Sequence, residues 1–216
     1  MRVRQQMTLD PVVVSPDTTI AEAIQLMRNN SIRRLPVVEK GKLVGIVTER
    51  DLSEVSPSPA TTLSIFEINY LLAKTKIRDI LPKGKKVITV SPDNYIEEAA
   101  RLMRENKVGA LPVIDGGKLV GIITETDIFD ALISMLGVYR GGTRIDMKVQ
   151  ERVGEVAEIS GIIASLNISI ENIVLYPNKG ENSYNLILRI ATREPRKVVE
   201  ALEARGYKID SVFIKE

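Results

Sequence analysis

The sequence predicts an α+β protein: two copies of a βαββα-type repeat packed together, followed by a smaller βαββαβ sandwich. Three observations carry this. Sliding the 216-residue chain by 76 positions lays Pro11–Leu52 on Val87–Ile128 without a gap, and about 23 of the 42 positions are identical. Within each copy the apolar spacing alternates between the helical and the strand period. After Gly142 the repeat is gone, and a new strand, helix, hairpin, helix, strand order begins.

The two copies read VSPDTTIAEAIQLMRNNSIRRLPVVEKGKLVGIVTERD and VSPDNYIEEAARLMRENKVGALPVIDGGKLVGIITETD. Each reads as strand, helix, strand, turn, strand, helix. The helix after Ser-Pro-Asp places Ile20, Ala23, Ile24 and Met27 on one face, matched by Ile96, Ala99, Ala100 and Met103. Thr19 with Glu22, or Asn94 with Glu97, supplies a capping-box start. Leu35–Val38, a Lys-Gly-Lys turn and Leu43–Val47 then form a hairpin of short strands rich in β-branched residues. A lone copy would leave one sheet face uncovered, so the two copies should pack as a pair. We assign residues 1–75 to the first repeat and 76–137 to the second.

In the first copy Ser56-Pro57-Ser58-Pro59 interrupts the helix that Thr48 begins. An added amphipathic helix is expected over 62–74, with Leu63, Phe66, Ile68, Leu71 and Leu72 apolar. In the second copy the helix runs on through Ile128, Phe129, Leu132, Ile133 and Leu136 to Gly137, and Gly141-Gly142 reads as an interdomain hinge.

The last unit is expected over 143–216. Thr143–Gln150 alternates, with Ile145, Met147 and Val149 on one face. A helix from Gly154 turns Val156, Ile159, Ile162, Ile163 and Leu166 inward. Ile170–Leu175 and Tyr184–Ile190 pair around Pro177-Asn178-Lys179-Gly180. Glu194-Pro195 opens a second helix, Gly206 ends it, and Ile209–Ile214 is the final strand. This βαββαβ order indicates a ferredoxin-like sandwich of about 75 residues.

Composition narrows the chemistry. There is no Cys and no His, which removes thiol nucleophiles, thiolate and imidazole metal ligands and the commonest general base. No catalytic or metal-binding residue is assigned; carboxylate- or lysine-based catalysis is the surviving enzyme reading. Thirty Lys+Arg against 28 Asp+Glu give a formal charge of +2, which does not point to nucleic acid as a partner. Apolar runs such as Leu35–Val38 fall far short of the roughly 20 residues of a membrane span. The start MRVRQQMTLD has no hydrophobic signal region. The expected location is the cytoplasm.

One element recurs where chemistry can sit. Thr48-x-x-Asp51 and Thr124-x-x-Asp127 lie between a strand and a helix, where the pattern is a capping box. A ligand reading adds to it: a helix N-terminus can seat a phosphate, a Thr hydroxyl can donate to it, and an Asp carboxylate can accept from both hydroxyls of a ribose.

The strings GIVTERD and GIITETD, with the Ser-Pro-Asp, Leu-Pro-Val and Gly-Lys-Leu-Val-Gly segments around them, resemble the signature of CBS domains over roughly residues 1–137. That resemblance implies a pair of repeats (a Bateman module) binding AMP, ADP, ATP or S-adenosylmethionine through Thr48, Asp51, Thr124 and Asp127. It also implies phosphate contacts from the basic residues before Leu-Pro, here Arg33 and Arg34. Arg50 inside the first motif adds a third guanidinium suited to phosphate. The second copy has Gly109, Ala110 and Thr126 at these places, so two unequal sites are expected. The alternative for all three Arg side chains is a solvated patch; phosphate binding is the favoured reading. By the same resemblance Val13, Val14, Leu35 and Pro36 line one adenine slot, and Thr89, Val90, Ala110, Leu111 and Pro112 the other. The alternative is that these are core strand residues only.

ERVGEVAEISGII resembles the first loop and helix of an ACT domain, with Glu151 and Val153 where Asp and Pro usually stand. Gly154 is the position where an effector's carboxylate could approach backbone N–H groups. The order of modules is similar to the acetoin-utilisation AcuB family. Together these imply a non-catalytic regulatory sensor, a homodimer acting on an unidentified partner protein. A module whose clefts stay empty and which only dimerises or scaffolds is the alternative.

Overall fold

The computed structural model describes residues 1–55, 64–82, 84 and 86–215. The chain divides into two compact units, Met1–Phe129 and Asp130–Glu216.

The first unit opens with a 3-10 turn at Val3–Gln5 and continues β1 (Thr8–Leu9), α1 (Ile20–Asn29), β2 (Arg34–Glu39), β3 (Lys42–Thr48), α2 (Glu49–Val55), α3 (Ile65–Lys74) and α4 (Ile77–Ile80). The second copy follows as α5 (Ile96–Asn106), β4 (Ala110–Asp115), β5 (Lys118–Thr124) and α6 (Glu125–Met135). Repeated sequence gives repeated geometry down to one residue. Hairpin β2–β3 pairs Arg34 with Thr48 and slips register between Val37 and Val38; β4–β5 pairs Ala110 with Thr124 and slips between Val113 and Ile114. Ile20, Ala23, Met27, Leu35, Val37 and Val47 are buried, as are their counterparts Ile96, Ala99, Met103, Leu111, Val113 and Ile123.

The strand expected at the front of each copy shrinks to one parallel bridge, Val14 to Val37 and Val90 to Val113. The Ser-Pro-Asp turn begins at the next residue, and neither Pro16 nor Pro92 has an N–H to extend a ladder. Thr19 caps α1 as expected: its Oγ1 accepts from Glu22 N at 3.2 Å and its N donates to Glu22 Oε2 at 2.8 Å. The Asn94–Glu97 capping box does not form. The 76-residue shift lays Asn94 on Thr18, and α5 starts behind Tyr95 with no side-chain cap. Asn94 Oδ1 instead accepts from Ser91 N at 2.9 Å, as Thr18 Oγ1 accepts from Ser15 N at 3.1 Å. Both close the Ser-Pro-Asp turn.

Two segments complete the copies crosswise. Val3 N donates to Asn94 O at 2.9 Å, and β1 pairs with β5, so the first residues pack on the second copy. Ile77 N donates to Thr18 O and Ile20 N to Thr75 O, each at 2.9 Å, so the linker packs on the first. Val3 and Ile77, in equivalent places, are fully buried. The added helix is described from Ile65, capped by Ser64 with Glu67. Its expected start at Thr62 and Leu63, and the break at Ser56–Pro59, lie outside the described residues. Leu72 packs on the first core, while Phe66, Tyr70 and Leu71 are exposed.

The second unit contains β6 (Gly142–Gln150), α7 (Glu155–Ser165), β7 (Ile170–Pro177), β8 (Ser183–Ile190), α8 (Arg196–Glu203) and β9 (Lys208–Lys215). Its antiparallel sheet has the order β7-β8-β6-β9. Ile145, Met147 and Val149 meet Ile159, Ile162, Ile163, Val198 and Leu202 in the core between sheet and helices. Two expectations are corrected. Val156 is 38% exposed, because Glu155 takes the inward place in the first turn of α7 and ion-pairs there with Arg152. Gly142 is not a hinge: it opens β6, pairs with Lys215 and has φ +116°. A Cβ there would run into the Ile190 carbonyl, so glycine is needed by both conformation and space. The division between units falls inside α6 instead.

Candidate functional site

A cleft of ≈ 580 Å³ opens between the two copies. The first copy contributes Arg33, Arg34 and the stretch from Val44 to Asp51, and the second contributes Lys86–Ile88, Lys107–Ala110 and Glu125. At its centre β3 ends and α2 begins. Asp51 Oδ2 accepts from Thr48 N at 2.8 Å and from Thr48 Oγ1 at 2.7 Å, while Thr48 Oγ1 accepts from Asp51 N at 3.2 Å. Thr124 and Asp127 repeat this box at 2.7, 2.8 and 3.4 Å. Capping is therefore what both pairs do in this structure. The Thr48 proton goes to Asp51, which leaves it unavailable to a phosphate. Asp51 Oδ1 keeps its lone pairs, and nothing donates to it among the described residues.

Charge gathers around this centre. Arg34 stands opposite Thr48 in the hairpin. Arg33, Arg34, Lys86 and Lys107 line the cleft, and among the described residues none of the four has an ion-pair partner. Arg50 also lines it, but its guanidinium lies 2.7 Å from Glu54 one helical turn on. Hydrogen bonding and charge from Glu54 raise the Arg50 pKa. That pair is exposed and contributes little stability. Glu49, Asp51 and Glu125 are the cleft's carboxylates.

Of the expected adenine-slot residues only Ala110 lines this cleft. Val13 and Thr89 are exposed outside it, while Val14, Leu35, Pro36, Val90, Leu111 and Pro112 are buried in their own copies. Leu35 packs with α1 in the first core and Leu111 is buried likewise, while Arg34 and Ala110, the residues just before them, line the cleft. The apolar walls come instead from Val44, Ile46, Leu81, Val87, Ile88 and Val108. Thr124 and Asp127 do not line it, although Glu125 between them does. Sequence reasoning missed Lys86, Lys107, Gly109 and Glu125. Glu125 was findable, since it repeats Glu49 inside the shared motif; the lysines carry no periodic signal.

In the second unit Gly154 precedes α7 with φ +90° and borders a hollow shared with Leu175 and Tyr184. Arg152 pairs with Glu155 and Glu158 beside it, and its hydrogen bond holds the Glu158 carboxyl below the ordinary glutamate value. Tyr184 Oη donates to Glu151 at 3.1 Å, which raises the Tyr184 pKa. Two carboxylates in the first turn already answer this helix dipole. Among the described residues no cluster of three or more His, Cys, Asp or Glu could hold a metal, and no helix is long and apolar enough to cross a membrane.

Twin units, each with a strand-to-helix capping box and together enclosing a charged cleft, define a tandem-repeat module. The CBS-domain profile matches residues 3–58 and 77–134, over half of the chain, and the protein belongs to the CBS-domain family, carrying that domain twice. It is similar to a structure described as an acetoin utilization protein (AcuB) from Vibrio cholerae, at 31% identity and TM-score 0.52, covering 64% of this chain and 95% of that one. It is similar to the CBS domain pair of protein MJ0100, solved with 5-methylthioadenosine and S-adenosylmethionine, at 26% identity and TM-score 0.51, covering 65% and 98%. CBSX2, solved with AMP, matches at 29% identity and TM-score 0.51, covering 64% and 98%.

Proposed function

We propose that the cleft between the two CBS repeats binds an adenosine-containing ligand, AMP, ADP, ATP or S-adenosylmethionine, and that the chain is a non-catalytic cytoplasmic sensor. The observation that carries this is a set of four cations, Arg33, Arg34, Lys86 and Lys107, that have no ion-pair partner among the described residues and line a cleft of ≈ 580 Å³ together with Asp51. The volume lies within the range of small-molecule sites. Asp51 Oδ1 accepts from the ribose hydroxyls, the apolar walls take the base, and the cations take the phosphates. The 5-methylthioadenosine and S-adenosylmethionine carried by the MJ0100 pair support the adenosine part of this chemistry, and the AMP carried by CBSX2 supports the phosphate part as well.

The second unit's βαββαβ order supports an ACT-type module that serves mainly to dimerise; Glu155 and Glu158 at the start of α7 weigh against a carboxylate effector at Gly154. Exposed Phe66, Tyr70 and Leu71 on α3, and Phe129, Leu132 and Met135 on α6, support a homodimer through the repeat helices. The likeness to the Vibrio cholerae protein supports a place in the regulation of acetoin utilisation.

Isothermal titration with AMP, ADP, ATP and S-adenosylmethionine tests the sensor, with Arg33→Ala expected to weaken the nucleotides and spare adenosine. If no adenosine compound binds at millimolar concentration, the empty-cleft scaffold takes its place. Light scattering that reports a 24.0 kDa monomer at micromolar concentration contradicts the dimer.

A further inference from the structure

Gly109 is the second copy's counterpart of Arg33, and its glycine has no backbone explanation: its φ is not positive, and it opens no tight turn. Space explains it. A Cβ at this position would collide with Arg34 Nη2, with the guanidinium carbon at 3.3 Å and Glu125 Oε2 at 2.7 Å. Arg34 therefore crosses from the first copy and lays its charged end in the gap left by the missing side chain of the second. The Gly109 carbonyl accepts from Glu125 N at 3.1 Å, which anchors the Glu125 backbone beside the gap. No ion pair joins Glu125 to Arg34 among the described residues. The gap thus holds one unpaired guanidinium with a carboxylate beside it, at the edge of the ligand cleft.

We propose that Gly109 is a positioning residue, which admits Arg34 across the repeat boundary and so makes the cleft select a ligand ending in phosphate over a neutral adenosine compound. This rests on the reading of the cleft as an adenosine site. A guanidinium offers a phosphate two parallel charge-assisted hydrogen bonds and offers a thioether none. Glu125 sets the other side of the balance: its negative charge lies where the phosphate must come and competes for the same guanidinium. The clashes at Gly109 are with the far ends of two flexible side chains, so a methyl group there moves the Arg34 guanidinium and the Glu125 carboxylate aside and leaves the fold intact.

Titration calorimetry of the full chain with AMP and with 5-methylthioadenosine reads this directly. Gly109→Ala should weaken AMP roughly 10-fold or more, the worth of a hydrogen bond to a charged group, and leave 5-methylthioadenosine unchanged. Arg34→Ala should do the same, and the double variant should lose no more than either single one. Glu125→Gln should act in the opposite direction and tighten AMP alone. Wild-type AMP affinity in Gly109→Ala, or equal loss of both ligands, overturns the proposal. If Gly109→Ala does not fold, Glu125→Gln decides, and unchanged AMP affinity in it is equally fatal. A wild-type chain that binds neither compound removes the adenosine reading itself, and this inference with it.

Discussion

The two CBS repeats are alike where each faces its own core and different where they face each other. Leu35 and Leu111 are both fully buried, both hairpins slip register at the same place, and both capping boxes form. At the shared cleft, Arg33, Arg34 and Arg50 line the first copy's wall, where the equivalent positions of the second are Gly109, Ala110 and Thr126, of which Thr126 does not line it. The first copy brings three arginines, and the second brings Lys86, Lys107 and Glu125 together with the room left at Gly109. A duplicated fold needs the same packing twice, whereas a single cleft needs its two walls to be complementary, and complementary walls are unlike.

Core truncations should show the sameness with the largest effect. Leu35→Ala and Leu111→Ala should each lower stability by about 2–5 kcal/mol in urea denaturation, the usual range for emptying a buried leucine site. A large loss at one site and almost none at the other would break the equivalence of the two cores.

Replacing the motif aspartates should show the difference. Asp51→Asn keeps an acceptor for the cap, so stability should change by less than about 1 kcal/mol. It turns Oδ1 into a donor, and nucleotide binding should weaken by about 1.5–3 kcal/mol, roughly 10- to 150-fold. Asp127→Asn should leave affinity at this cleft unchanged, since Asp127 does not line it. Equal losses in titration would mean that the copies share one site more evenly than their walls suggest.

Helix starts come next. Thr19→Ala removes the cap of α1 and should cost about 1 kcal/mol in thermal melts. Tyr95 caps nothing, and its ring lies 5.1 Å from the Arg2 guanidinium, so Tyr95→Ala should cost less. A larger loss at Tyr95 would show that the ring matters more than the cap.

The smallest effect is a pH dependence. Asp17 accepts from Lys76 at 3.0 Å and pairs with Arg78, where the equivalent Asp93 pairs with Arg4. The hydrogen bond from Lys76, then the Arg78 and Lys76 charges, hold the Asp17 carboxyl below its ordinary value of 3.8 against the opposing pull of burial. A folded-state pKa that is depressed stabilises the fold above the unfolded value, and the contribution is lost as pH falls through the folded one. Asp17→Asn should flatten the acid end of the stability curve slightly, and less so at high salt. An unchanged acid limb would show that this contact between the linker and the first copy carries no stability.

The sequence by itself determined the duplication, the helix faces, the hairpins, the Thr48–Asp51 and Thr124–Asp127 caps and the βαββαβ order of the last unit. These depend on periodicity and on hydrogen bonds between residues a few positions apart, and both are written in local order. It misjudged Asn94 and Gly142, whose roles depend on a turn and on a neighbouring strand. Only the tertiary structure decided that Leu35 and Leu111 point into their own copies, that Lys86 and Lys107 reach the cleft, and that the first residues and the linker exchange places. It also decided that Gly109 lies under Arg34. Those contacts join residues tens of positions apart, where no repeating pattern specifies which side chain meets which; the packing of one copy on the other does.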